Sequence, residues 1–316
     1  MLPPEGTMDI AVMGGSSHIA RNLIVRFAAR TTDRLTLFCR DKGPVEAFLR
    51  RYAPGGQTTV VEGYGDFLTR RFDAVIDCVG AGTPGAPGFD PVNWFDTLQR
   101  FDDLALEYLR RVNPEAALIT FSSGAVYGAR TPGPFGDGTL YQVDVNAPAT
   151  EDFYALSRLY AEAKHRAHRE LRIADLRVFA FYSRFVDPGA GYFMTDVLKA
   201  LLRGEELVTT PRDMVRDYIA PDDLFDAVRF CLGQKNLNRA FDLRSVAPAG
   251  KFEILEHFKE RFGLRWRFAG VPASPNGDKP VYCSQSTALE NAGFRPRLTA
   301  LEGLTEETEK RLADGE

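Results

Sequence analysis

Short apolar runs alternate with amphipathic ones through the first half of the chain. Asp9–Met13, Arg34–Cys39, Thr58–Glu62, Ala74–Val79 and Ala117–Ser122 are compact, apolar and bounded by polar or turn-forming residues, which predicts strands. Ala20–Arg30, Val45–Tyr52 and Trp94–Val112 carry apolar residues at helical spacing and predict helices. Strands separated by helices need crossover connections, so the pattern predicts a doubly wound, mostly parallel α/β sheet. From about Phe179 the pattern loosens and meets Pro188–Gly191, Pro211 and Pro272–Pro280. This predicts a smaller C-terminal α/β lobe comprising residues 179–213 and 246–316, with 214–245 returning to the sheet formed within 1–178.

The composition is that of an ordinary soluble protein: 316 residues, 44% hydrophobic and 26% charged. Lys and Arg number 39 against 43 Asp and Glu, a net charge of −4. No global basic field therefore supports nucleic acid or an anionic membrane as partner. No run reaches the roughly 18 apolar residues of a spanning helix, and Met1–Thr7 has no signal-peptide layout, so a cytoplasmic location is expected. Cys39, Cys78, Cys231 and Cys283 form no CxxC pair and are expected as buried thiols of a reducing compartment. Glu162, His165 and His168 share one helical face, read here as a solvated polar surface; no metal is expected.

Strand Asp9–Met13 runs into Gly14-Gly15-Ser16-Ser17-His18-Ile19-Ala20, the place for a GxxGxxG dinucleotide turn. Only its first glycine is intact, with Ser17 and Ala20 at the other two positions. Ser17 stands where backbone must approach pyrophosphate, although its hydroxyl can donate to phosphate. The second strand ends at Cys39, where an NAD-selective site carries a carboxylate, and Arg40 follows. Arg40, with Lys42, suits a 2′-phosphate, so NADP(H) is favoured; Asp41 keeps NAD(H) open. After the third strand, Asp66 and Phe67 are expected to flank adenine. The Pro/Gly-rich stretches Gly80–Pro91 and Gly128–Gly138 follow strands closely and are candidate site walls, since ligands bind outside the carboxyl ends of such strands.

Further along stand Ser122-Ser123-Gly124-Ala125-Val126-Tyr127-Gly128 and Tyr154-Ala155-Leu156-Ser157-Arg158-Leu159-Tyr160-Ala161-Glu162. With Leu176–Phe179, Arg216–Leu224 and Gly293–Pro296 they form an ordered series. The chain resembles the extended short-chain dehydrogenase/reductase superfamily, in its NAD(P)-dependent sugar-nucleotide epimerase/dehydratase branch. The matching motifs there are a serine-rich strand end leading into VYG, YxxSKLxxE, LRxFNxYG, RDYIHVxDL and LGWxP. The resemblance implies a Rossmann-like fold, with Ser123 and Tyr154 as catalytic residues. A phenol of pKa near 10 cannot act as a base at neutral pH unless nearby positive charge stabilises its phenolate. In the branch a lysine supplies that charge; here Arg158 stands in its place, keeping the charge but not the compact geometry. A second Tyr160–Lys164 pair exists on the same helix, but in a register that loses the Ser157 and Glu162 matches.

The expected cofactor shell is Gly14, Ser16, Ser17, His18 and Ile19 at the turn, Arg40, Asp66 and Phe67 at the adenosine end, and Val79, Gly80, Tyr154 and Arg158 at the nicotinamide end. Ser123, Gly124, Arg216 and Phe193 are the expected substrate contacts, with Phe185–Gly191 as further pocket wall. In the branch the residue at Arg216 contacts the substrate diphosphate; the alternative is a surface ion pair with Asp213 or Asp217. Ala180, Ala220 and Leu98 replace polar residues common in the branch. These features imply hydride transfer at a sugar carbon of a nucleotide sugar, leaning to reduction of a 4-keto sugar. Epimerisation with tightly held NAD is the alternative, and a catalytically degenerate NADP(H)-binding sensor is another. Ser123-Gly124-Ala125 lacks the acids of the branch's dehydratases. A homodimer through the helices around Trp94–Val112 and Phe153–Arg169 is also implied.

Overall fold

The computed structural model describes residues 6–80, 90–128, 130–269 and 279–315. In chain order the main elements begin with β1 (Asp9–Met13), α1 (His18–Arg30), β2 (Arg34–Cys39), α2 (Lys42–Tyr52) and β3 (Thr58–Glu62). β4 (Ala74–Asp77), α3 (Pro91–Arg111), β5 (Ala117–Ser123), α4 (Thr150–Ala167), β6 (Arg172–Val178) and β7 (Ala180–Phe181) follow. The remainder comprises α5 (Phe193–Arg203), β8 (Glu206–Thr209), β9 (Val215–Arg216), β10 (Tyr218–Ile219), α6 (Pro221–Leu232) and β11 (Asn238–Leu243). Last come β12 (Ala249–Gly250), α7 (Lys251–Phe262), β13 (Arg265–Phe268), β14 (Val281–Tyr282), α8 (Ala288–Ala292) and α9 (Ala300–Ala313).

Seven strands form a parallel sheet in the order β11-β6-β5-β4-β1-β2-β3. The strand order reverses between β1 and β4, which makes that crevice the topological switch point of a Rossmann-like sheet. Alternation along β1 divides the core between the two faces. Ile10 and Val12 join Leu23, Phe27 and Phe225 on one side, while Ala11 and Met13 join Phe38, Phe67 and Tyr108 on the other. Helix starts follow their caps rather than their apolar stripes. Ser17, Asp41 and Asp90 each accept a backbone hydrogen bond at the N-terminus of α1, α2 and α3, so these helices begin two or three residues before the expected points. A second apolar cluster, including Tyr182, Leu198, Leu207, Ile254, Phe258 and Leu304, lies among α5, β8, α7 and α9.

All four cysteines are buried. The polar face of α4, in contrast, is not solvated as expected, because Glu162 and His165 are 4% and 1% exposed. Glu162 accepts from Ser122 and from Arg177, which also reaches Asp242. His165 lies between two carboxylates, Nε2 2.6 Å from Asp102 and Nδ1 2.7 Å from Asp175. The helical spacing was right, but α3 and β6 bring acids and Arg177 onto that face. His168 alone stays half-exposed, 3.6 Å from Glu170.

Burial disfavours the His165 cation, but Asp175 and Asp102 outweigh it and raise its pKa from 6.5 to about 9. A folded pKa above the unfolded one gives stability that is complete below about pH 6.5 and is lost as pH rises through about 9. We expect the urea midpoint to fall across that window, by a loss on the order of 2 to 3 kcal/mol. His165→Gln should flatten the slope; an equally steep slope in the variant would assign it to other groups. No described helix is long and apolar enough to cross a membrane.

Candidate functional site

The site begins where β1 ends. Gly14 takes φ +70°, and a Cβ there would lie 2.9 Å from the Cys78 carbonyl oxygen, so a side chain is excluded twice over. Ser17 N–H donates to the Gly14 carbonyl (2.9 Å), and the Ser17 hydroxyl accepts from Ala20 N–H (3.2 Å) as the cap of α1. The serine that stood against the glycine pattern thus serves the helix start, whose first-turn amides and positive dipole end favour phosphate. Ser16 is exposed at the tip of the turn. Gly14 N–H is satisfied by the Tyr64 phenol (2.9 Å), a contact the sequence reading missed.

His18 points elsewhere than expected: its Nε2 is 2.7 Å from Ser183 Oγ and its ring 4.8 Å from Phe181. Burial, with Arg21 nearby, lowers its pKa to about 4, so the imidazole is neutral at pH 7. Ile19 packs against the α1 side of the core. At the end of β2, Cys39 is buried and donates to the Val61 carbonyl (3.7 Å). Arg40 is exposed, while Asp41 spends its carboxylate on Gly43 N–H (2.9 Å).

Asp66 is exposed beside Arg70. The ring of Phe67 cannot flank an adenine, because it is 0% exposed and packs on Phe38, Phe72 and Tyr108. Core packing claimed the aromatic in that loop. Phe185 likewise leaves the expected pocket wall and stacks edge-on to Phe48 and Tyr52 of α2. Phe193 opens α5, half-buried against the second cluster.

Beyond β4, Val79 is half-buried and Gly80 exposed; residues 81–89 of the Gly80–Pro91 stretch lie outside the described residues. Asp77, the last residue of β4, accepts from Val79 N–H (2.9 Å), and burial pushes its carboxyl up to about 6. It was not singled out from sequence; an acid closing an apolar strand was the available signal.

Ser123 ends β5, and its Oγ accepts from Ala125 N–H (3.2 Å) in the short 3-10 turn Gly124–Tyr127, against which α4 packs. Gly124 lets the Phe179 ring close in, since a Cβ would fall 2.4 Å from it. On α4, the Tyr154 ring meets the Trp94 ring edge-on at 5.0 Å, and the Arg158 guanidinium lies over both, 5.6 and 5.4 Å from their centroids. Arg158 Nε is buried without a hydrogen-bond partner. Ser157 accepts from Trp94 Nε1 (3.0 Å) and donates to the Tyr154 carbonyl (2.8 Å), bracing this corner. In the competing register Tyr160 is 56% exposed, and Lys164 is paired with Asp102 and Asp103.

The opposite wall comes from β9 and β14, which pair in parallel with Tyr282 beside Arg216. Tyr282 Oη lies 3.3 Å from Ser123 Oγ, and a negative charge on Tyr154 is close enough to raise the Tyr282 pKa. Arg216 is 8% exposed and is not a surface ion pair. Both its hydrogen bonds leave from Nη1, to the Val215 and Lys279 carbonyls, while Asp217 is bonded to Ser245 and Asp213 to Met214. Lys279 donates to the Gly128 carbonyl (2.5 Å) with its ammonium over Phe135 and Tyr282. Burial and the neighbouring Arg216 lower the Lys279 pKa to about 8. Neither cation has a carboxylate partner among the described residues. Lys279 and Tyr282 were missed because their segment shows no periodicity; its Lys-Pro-Val-Tyr run was the only signal.

The intact Gly14 approach, the α1 N-terminus and the orphaned Arg158 Nε fit a dinucleotide along the carboxyl edge of the sheet. A model of the family described as "NAD dependent epimerase/dehydratase family" matches residues 10–243. The chain belongs to that family. Among its relatives, UDP-glucuronate 4-epimerase 6 of Arabidopsis thaliana is 23% identical over 223 residues, 63% of this chain and 46% of that protein. UDP-glucuronate 4-epimerase 2 of the same plant is 25% identical over 225 residues, 63% of this chain and 49% of that one. The matched part spans about half the length of these relatives.

Solved structures share the fold. The UDP-N-acetylglucosamine 4-epimerase of Methanobrevibacter ruminantium superposes with a TM-score of 0.82 at 16% identity, covering 98% of this chain and 99% of that one. The UDP-glucuronic acid 4-epimerase of Bacillus cereus, in complex with NAD, gives 0.76 at 14%, covering 98% and 100%.

Proposed function

We propose that this protein is an NAD(P)-dependent epimerase that inverts a sugar carbon of a nucleotide sugar by hydride transfer. The observation that carries this reading is that Ser123 and Tyr154 both neighbour Tyr282, with Arg158 over the Tyr154 ring and its Nε without a hydrogen bond, at the carboxyl edge of the sheet that bears the Gly14 turn. Tyr154 Oη takes the proton of the sugar hydroxyl and later returns it. Arg158 keeps a fixed positive charge over the Tyr154 ring, 5.6 Å from its centroid. Ser123 holds the same sugar oxygen by hydrogen bond. When bound, the nicotinamide supplies the hydride chemistry, accepting from the sugar carbon and giving back.

Arg216 and Lys279 support an anionic substrate, because two desolvated cations without a carboxylate are costly until an anion arrives. The names of the Arabidopsis relatives support epimerisation over net reduction. Exposed Arg40 supports NADP(H), and through it a second reading, reduction of a 4-keto nucleotide sugar. Val92, Phe95, Leu159 and Tyr160, exposed on α3 and α4, support a homodimer through those helices.

The test is chromatography of a panel containing UDP-glucuronate, UDP-glucose and UDP-N-acetylglucosamine, incubated with NAD or NADP. We expect one sugar to convert to its epimer with no net change in the cofactor. Net NADPH consumption would select the reductase, and binding without turnover a degenerate sensor. In fluorescence titrations NADPH should bind more tightly than NADH, and Arg40→Asp should reverse the order.

A further inference from the structure

Ser123 holds an unusual set of neighbours for a serine at the floor of a site. A hydroxyl has two lone pairs and one proton. One lone pair of Ser123 is taken by Ala125 N–H at 3.2 Å. The other partner is Tyr282 Oη at 3.3 Å, delivered by a strand more than a hundred residues further along the chain.

We propose that Tyr282 is a positioning residue: by donating to Ser123 Oγ it turns the serine proton outward and makes Ser123 an obligate donor toward the substrate oxygen. The inference rests on the hydride-transfer reading above. A phenol is far more acidic than an aliphatic alcohol, so between the two it is the phenol that donates. Lys279 Nζ and Arg216 Cζ, 5.1 and 6.0 Å from the Tyr282 ring centroid, draw electron density from the ring and strengthen that donation. Burial holds the phenol above its usual range, so it keeps its proton at neutral pH.

With both lone pairs filled, only the Ser123 proton remains for a ligand. An outward donor suits a sugar oxygen that gains negative charge as its proton leaves, and suits a neutral hydroxyl less well. The contribution is therefore made in the transition state, and it should appear in kcat rather than in KM. The ring itself is fixed independently of the hydroxyl. Phe135 and Phe179 contact it at 6.0 and 5.1 Å, and the strand pairs with Arg216. Tyr282→Phe consequently removes the donor and keeps the wall.

The experiment is a double-mutant cycle on the nucleotide sugar that the parent protein turns over best. Tyr282→Phe should lower kcat about tenfold with KM within about twofold, and Ser123→Ala should lower kcat about a hundredfold. In the Ser123→Ala background Tyr282→Phe should cost nothing further, because its route of action is gone. NADPH titrations and melting curves should match the parent for all three variants. A full tenfold loss on top of Ser123→Ala, or an effect confined to KM, overturns the positioning role and leaves the hydride-transfer reading standing. A parent protein without turnover on the panel removes that reading, and this inference with it.

Discussion

Tyr154→Phe should abolish turnover, by about a thousandfold or more, while dinucleotide binding stays at the parent level. The substitution deletes one atom. The ring keeps its edge-on contact with Trp94 at 5.0 Å and its place under the Arg158 guanidinium at 5.6 Å, so the corner of α3 and α4 is not disturbed. What disappears is the only group on α4 that we assign to carry the substrate proton. Steady-state rates and fluorescence titration with NADPH check the two halves separately. A variant that retains turnover within about tenfold of the parent would show that another group moves the proton, and the assignment of Tyr154 would be withdrawn.

The second large effect concerns stability. Arg177 donates to Glu162 Oε2 at 2.6 Å and reaches Asp242 Oδ1 at 3.2 Å, with both acids almost wholly buried. Tyr127 and Ser284 donate to Asp242, and Ser122 donates to Glu162. Arg177→Met keeps the volume and removes the one cation that the two carboxylates share. Leaving buried carboxylates uncompensated costs about 3 to 5 kcal/mol. Urea unfolding at neutral pH should register that loss. A loss under about 1 kcal/mol would mean that hydroxyl donors alone suffice for Glu162 and Asp242. Because Ser122 immediately precedes Ser123, a weakened network should also slow any turnover that survives.

The sheet was legible because short apolar runs and the intervening amphipathic helices are local properties, and β1 to β5 fall close to the expected spans. The glycine turn was legible for a similar reason, since it follows a strand and opens a helix, whereas Ser123 and Tyr154 were singled out only through the family motifs around them. Burial of polar side chains was not. Whether Glu162 and His165 face water depends on Arg177, Asp102 and Asp175, which arrive from other elements. Phe67 and Phe185 went the other way, as aromatics that packing drew out of the expected site. Lys279 and Tyr282 lay in a stretch without periodicity, and it is tertiary pairing, with β9 and with Phe135, that brings Tyr282 to Ser123.

That pairing sets an order of events during translation. The turn at Gly14, Ser123, Tyr154 and Arg158 all leave the ribosome well before β14, which then threads beside Phe135 through the bridge to Ser284 and the backbone bonds of Cys283 and Gln285. A nascent chain that has reached only β6 already carries the dinucleotide turn and the tyrosine. It lacks Arg216, Lys279 and Tyr282, the wall that faces Ser123 in the finished fold. The residues assigned to the cofactor are therefore synthesised before the strap that carries Lys279 and Tyr282.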